Sequence, residues 1–405
     1  MSNTNVLIFK GANMSLNYQQ VRQQVQSLGE SAPARYQQLQ ALRARAQELL
    51  IHNANENDLL RQKVERVVRS YDNSLRCALP AHEPLNAHLP MPGLALPLTV
   101  LAADGSQINP DRHAELEYSL VNVGAICIHL GSAQPPAITI SSELLPPDDQ
   151  SLVTENRLAL MRDLAERKML ADLSAGLEPP VISFTDGPME LWGSKEADAE
   201  YISQYQASLA EYLVVLQDLF QRNVVTAGYV DKPFAGLLVR LLEVAAASDE
   251  ELPNIRQFHP LRGVRDTDLL ASLLAPGERS AVFALQSQSS KNYANQLALH
   301  FFYLNVGRPG KPWLARVETP AWVVASSSLL DSLHAVLVDQ CRMLGARPYP
   351  YLLHRAHETA VVSQEERDQV TQMIALELQR QGVPFSGQSH KQALKESAGR
   401  TRYQP

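Results

Sequence analysis

The sequence predicts an α/β protein built on one mixed sheet with helices on its faces. Three observations carry that expectation. Leu98–Ser106 (LTVLAADGS) and Val181–Gly187 (VISFTDG) are apolar runs with β-branched residues that pass straight into Asp-Gly, as buried strands leading into turns do. Three β-type runs (the one ending at Asp104, then 118–130 and 137–141) lie close together, which suits an antiparallel meander. After residue 151, helix-type and strand-type segments alternate, as in a sheet with parallel strands.

Taken in order, residues 14–77 are rich in Gln, Arg, Leu and Ala. Segments 36–51 and 59–75 carry apolar residues at three- and four-residue spacing, and the Asn-rich stretch 53–58 breaks the pattern. Residues 1–77 are therefore read as a helical hairpin, an arm for packing, dimerisation or docking. Residues 78–97 are Pro-rich and read as an extended linker. A domain over 98–383 follows. Its helices are expected at 151–175, 196–222, 235–247, 266–274, 327–344 and 363–381. Its further strands are expected at 181–186, 224–230, 281–285, 301–306, 313–317 and 349–353, the first three strands of the sheet being antiparallel and the later ones parallel. The polar, basic tail 384–405 reads as flexible.

The chain has 405 residues, 45% hydrophobic and 20% charged, which is ordinary for a globular protein. Its formal net charge of −7 gives no global support for nucleic-acid binding, which then rests on local basic patches. The three cysteines are far apart without a C-x-x-C pair, which argues against a disulfide framework or a zinc ribbon and suits a reducing cytoplasm. There is no apolar run of membrane-spanning length and no signal-peptide layout.

Both Asp-Gly pairs place a carboxylate where a core strand gives way to a loop, and in open α/β sheets that crevice is where ligands bind. Each pair also reads simply as a good turn. Glu166 lies mid-helix among Arg162, Asp163, Arg167 and Lys168, either on a solvated charged face or aimed from a crossover helix at the crevice. Asp231 and Lys232 follow a strand, and a lysine there either holds a phosphate or sits in a solvated turn. His357 and Glu358 follow the strand expected at 349–353, a position suited to ligand or acid–base work. Carboxylates with a His and a Lys suit Mg²⁺ or Mn²⁺ rather than zinc, and such ions support phosphodiester cleavage. No G-x-x-x-x-G-K-S/T loop, G-x-S-x-G elbow or dinucleotide fingerprint is present.

The ordered set AADGS (102–106), RDLAERKML (162–170), SFTDGPMELW (183–192), AGYVDKP (227–233), LLAPGERSAVF (273–283), FFYLNVG (301–307), ARVETPAWV (315–323) and PYPYLLHRAHETAVVS (348–363) resembles the NurA nuclease family over roughly residues 98–380. The resemblance implies an RNase H-like mixed sheet flanked by helices, here with an N-terminal helical arm. It implies Asp104, Glu166, Asp186 and His357 as ligands of Mn²⁺ or Mg²⁺, with Lys232 positioning phosphate. Asp231, Asp268 and Glu358 are less specific matches, and Glu155, Glu178 and Glu190 are alternatives to Glu166. The implied activity is a metal-dependent DNA nuclease, a 5′-to-3′ exonuclease with single-strand endonuclease activity alongside. Its implied partners are single-stranded DNA, double-stranded ends, a second copy of the chain and a HerA-like hexameric ATPase, in DNA end resection and double-strand break repair. Two other readings stay open: a non-catalytic docking partner of such an ATPase, and an RNase H-like RNA nuclease or resolvase. Lys291, Arg308, Lys311 and Arg316 are candidates for a DNA-facing patch. Phe301, Phe302, Tyr303 and Trp313 nearby are read either as base-stacking groups or as a buried strand.

Overall fold

The structure is a computed structural model that describes residues 16–110, 117–145, 154–193 and 199–382. The elements in chain order begin with α1 (Tyr18–His52), α2 (Asn57–Ser70), β1 (Cys77–Pro80) and β2 (His88–Leu89). The domain continues with β3 (Leu98–Ile108), β4 (Ser119–Leu130), β5 (Ala137–Leu145), α3 (Glu155–Ser174), β6 (Val181–Asp186), α4 (Ala199–Gln221), β7 (Val225–Val230) and α5 (Leu237–Ala246). Then come α6 (Asp266–Leu270), β8 (Arg279–Ser280), β9 (Phe283–Gln286), β10 (Leu299–Asn305), β11 (Leu314–Pro320), α7 (Ala321–Val324), α8 (Ser327–Met343), α9 (Tyr351–Ala360) and α10 (Gln364–Arg380).

One mixed sheet runs β1-β9-β10-β11-β7-β6-β3-β4-β5, with β2 and β8 paired beside β10. The meander β3-β4-β5 is antiparallel, as its short connections require. The helices α3 and α4 then provide the crossovers that let β6 and β7 run parallel to β3. This is the mixed sheet flanked by helices, with an N-terminal helical arm, expected from the sequence. The later strands depart from the expectation. Of these, β6 and β7 are parallel, while β11, β10 and β9 extend the sheet antiparallel.

Three other expectations change. Segment 78–97 is more than a linker, because β1 pairs with β9 and β2 with β8. The first helix is much longer than expected, running unbroken from Tyr18 to His52. Its last turns bury Ala46, Leu49 and Leu50 in the common core, and Arg43 pairs with Asp268 at 2.9 Å. Its first half is exposed, Tyr18, Val21, Val25 and Leu28 included. Finally, residues 351–360 are helix α9, not a strand. Pro350 stands before the first helical turn, where its missing N–H costs nothing. The tail 384–405 lies outside the described residues. Among the described residues, no helix is long and apolar enough to cross a membrane.

Two packing details position the cleft. The helix α3 starts at Thr154, whose side chain accepts from Arg157 N at 3.2 Å. It lies on the sheet through Leu158, Leu164 and Leu170, and it also buries Arg167. That guanidinium donates to Thr185 and Thr226 at 2.7 and 2.8 Å, tying α3 to β6 and β7. The helix α9 lies directly on β4 at Gly124, where a Cβ would stand 2.8 Å from Ala360 N and 2.9 Å from Ala356 O. Both contacts are backbone and cannot swing aside. Gly124→Ala should therefore destabilise the protein by about 1–3 kcal/mol, as overpacking does. Urea denaturation measures this, and an unchanged midpoint would show that α9 yields freely.

Candidate functional site

The parallel register of β3 and β6 ends at Ala103↔Thr185. Asp104 and Asp186 are the next residues on the two neighbouring strands, so both carboxylates emerge where the strands part. The expectation that the first strand ends in a turn at Asp104 needs correction. β3 continues to Ile108 because its pairing with β4 continues, Asp104 facing Gly124 and Ile108 facing Leu120. Gly105 is needed for close approach rather than for a turn. A Cβ there would stand 2.5 Å from Arg162 Cγ and 2.8 Å from Glu166 Oε1. The absent side chain is what lets α3 lay its charged face on the strand.

That face contains Asp163, Glu166 and Arg167, three and four residues apart and so on one side of the helix. With Asp104, Asp186, Arg162, Glu190 and His357 they line a cleft of about 300 Å³. Glu166 is 5% exposed. Burial pushes its carboxyl well above the usual range, with the Asp163 and Asp104 charges adding to the shift and Arg162 opposing it. Burial also raises Asp163, against the pull of Arg162, whose guanidinium sits 2.9 Å from it and 3.6 Å from Glu166. Asp186 is raised by burial too, although it accepts a hydrogen bond from the Tyr349 phenol. Burial and the Asp186 charge push that phenol upward in turn, so it keeps its proton and donates. His357, on α9, places Nδ1 2.7 Å from Asp104 Oδ2 while most of its ring faces solvent.

The structure thus brings together Asp104, Glu166, Asp186 and His357, with Glu190 in the same lining, and leaves Lys232, Asp231, Asp268, Glu358, Arg308, Lys311 and Arg316 outside it. Lys232 does not line the cleft. It follows β7 in a left-handed conformation (φ 46°), with Nζ 4.1 Å from the centre of the Trp313 ring. Trp313 Nε1 in turn donates to Asp231 Oδ1 at 2.7 Å. Arg316 cannot serve a DNA-facing patch, because it is 6% exposed and paired with Glu318 at 2.9 Å. Arg308, Lys311 and Lys291 are exposed. Phe301, Phe302 and Tyr303 are fully buried, as the strand reading had it. Asp268 is held by Arg43 and Arg265, and Glu358 by Arg355. The residues that sequence reasoning left without a role are Asp163, Arg162 and Tyr349. Asp163 had a signal, its three-residue spacing from Glu166. Tyr349 had little beyond its place between two prolines.

Carboxylates gathered in one cleft, with Glu166 and Asp186 raised by burial and by neighbouring charge, are a donor set for a hard divalent cation such as Mn²⁺ or Mg²⁺. Among the described residues, no three His, Cys, Asp or Glu side chains already stand at metal-holding geometry. Arg162 supplies the nearest positive charge to Asp163 and Glu166 instead.

The fold and cleft define a mixed-sheet α/β protein with an acidic site where β3 and β6 part. Residues 98–362 match the model of the NurA domain, and the chain belongs to that family. Among solved structures, the NurA nuclease from Sulfolobus solfataricus is similar at 13% identity and a TM-score of 0.44, covering 81% of this chain and 93% of its own. Human endonuclease V is similar at 12% identity and a TM-score of 0.30 over 69% of this chain and 86% of its own. The endonuclease V of Ciona intestinalis, crystallised with an inosine-containing DNA, gives 12% and 0.28 over 68% and 87%. No curated protein matches the sequence.

The raised Glu166 carboxyl makes a stability prediction. A folded-state proton affinity above the unfolded one favours folding at low pH, and that contribution is lost as pH rises through the folded-state value. Glu166→Gln removes the ionisable group. Its melting temperature should exceed that of the wild type by at least about 2 °C near pH 8, with the gap closing near pH 4. A gap that does not change with pH would contradict the electrostatic account.

Proposed function

We propose that the protein is a metal-dependent DNA nuclease that hydrolyses phosphodiester bonds in this cleft. The observation that carries the reading is the meeting of Asp104, Asp163, Glu166 and Asp186 with His357 and Arg162 in one cleft, on a chain of the NurA domain family. Asp104, Glu166 and Asp186, with His357 at the rim, would hold Mn²⁺ or Mg²⁺. When bound, the ion neutralises the phosphate and the departing oxygen.

The chain's own groups do the rest. With Nδ1 donating to Asp104, His357 has its lone pair on Nε2, the one ring atom left to take the ion or accept a hydrogen bond. Tyr349 holds the Asp186 carboxylate in one orientation. Arg162 presents a planar cation that suits a phosphate oxygen pair once it leaves Asp163. Lys232 lies one strand beyond Asp186 and would meet only a more distant phosphate of a longer strand.

The family reading extends this to 5′-to-3′ exonuclease and single-strand endonuclease activity in DNA end resection and double-strand break repair. A HerA-like hexameric ATPase and a second copy of the chain would be the partners, in the cytoplasm. The exposed apolar residues Tyr18, Val21, Val25 and Leu28, repeating every three or four positions on α1, support an arm that docks on a protein surface.

Asp104→Asn and Asp186→Asn should each lower Mn²⁺-dependent cleavage of single- and double-stranded DNA ends by at least about a hundredfold, with unchanged circular dichroism. Wild-type rates in both variants would sink the nuclease reading. For the arm, Leu28→Glu should lower the mass seen by light scattering if α1 joins two copies, and an unchanged dimer would place the copy-to-copy contact elsewhere.

A further inference from the structure

Beside the carboxylates, the chain from Met189 to Gly193 is held with unusual care for a loop. Tyr212 donates to Met189 O at 2.9 Å. Leu191 N donates to the Tyr293 hydroxyl at 2.8 Å, and Leu191 O accepts from Tyr205 at 3.2 Å. Gly193 lies on the Tyr205 ring, where a Cβ would stand 3.0 Å from Cδ2. Three tyrosine hydroxyls and a glycine thus fix a segment whose Glu190 and Leu191 line the cleft.

What this rigid segment presents is Trp192, 49% exposed, an unusual place for an indole. The Arg76 guanidinium lies 4.7 Å from its ring centre. Arg76 is held there by Glu190 at 2.6 Å, and Glu190 is itself buried and accepts from Ser287 and Ser289. A buried carboxylate with two hydroxyl donors serves to hold one arginine against one exposed ring. The pair combines a flat π surface with a fixed positive charge, the chemistry by which single-stranded nucleic acid is gripped without reading its sequence.

We propose that Trp192 and Arg76 form a stacking platform for an unpaired base of single-stranded DNA at the entrance to the carboxylate cleft. This rests on the nuclease reading for the identity of the strand. The base stacks on the indole, Arg76 meets the phosphate beside it, and the preceding segment feeds the strand past Glu190 towards Asp186. Trp313 offers no equivalent surface, since it is half-buried and its Nε1 is tied to Asp231.

The test is anisotropy of a labelled oligo-thymidine of about twelve bases, and of an abasic strand of equal length, titrated with the full chain in a chelating buffer. Trp192→Ala should weaken thymidine-strand binding about five- to hundredfold while leaving the abasic strand within about threefold. Trp192→Phe, which keeps a π face, should stay within about threefold on both strands. Unchanged thymidine-strand binding by Trp192→Ala, or an equal loss on both strands, would overturn the platform. If the wild type binds the strand with this signature but cuts nothing with Mn²⁺, the platform stands and the nuclease reading fails. A wild type that binds neither strand overturns the platform, while the nuclease reading stands or falls on cleavage with Mn²⁺.

Discussion

The register of β3 against β6 is the constraint on which the site depends. Parallel strands present matching side chains side by side, and the pairing from Thr99↔Val181 to Ala103↔Thr185 leaves Asp104 and Asp186 as the first unpaired step on adjacent strands. A slip of one residue would turn one of these carboxylates to the opposite face of the sheet. Arg167 reinforces the arrangement from above. Its hydrogen bonds to Thr185 and Thr226 join α3 to β6 and β7, and this brings Glu166 over the strand ends.

The same geometry works against stability at the cleft. Glu166 is buried beside Asp163 and Asp104, and one arginine, Arg162, offsets their charge directly. A protein selected for stability alone would place apolar side chains on this face of α3. Local conflict between burial and charge of this kind concentrates at functional sites, because a site that binds a cation must keep its carboxylates poorly neutralised beforehand.

Much of this was legible in the sequence because the signals were local. The runs ending in Asp104 and Asp186 are apolar enough to be core strands, and the spacing from Ser119 to Leu145 allows only short connections, hence the meander. The alternation after residue 151 gave the crossovers. What escaped was set by tertiary contact. Asp104 looked like a strand end because Asp-Gly favours turns, yet the ladder to β4 carries β3 four residues further. Tyr349–Leu353 looked like a strand because a short apolar run has no period of its own, while the helix is fixed by the proline before it and by packing on Gly124. Arg316 looked like a surface cation because its partner, Glu318, is two residues away on a strand whose burial only the full sheet determines. Tyr349 was invisible for the same reason, since its role depends on a carboxylate more than a hundred and sixty residues earlier in the chain.

The pairing of Asp104 with His357 has a consequence for how the molecule comes into being. The two residues are separated by 253 positions, and α9 is held on β4 by backbone contacts that Gly124 permits. During synthesis the early carboxylates emerge long before the histidine that answers one of them. The meander can form on the ribosome, but the cleft stays unfinished until the chain has passed residue 360 and α9 has docked. Completion of the site is thereby tied to completion of the domain, so a partly made or truncated chain carries the acidic residues without the constellation that makes them useful.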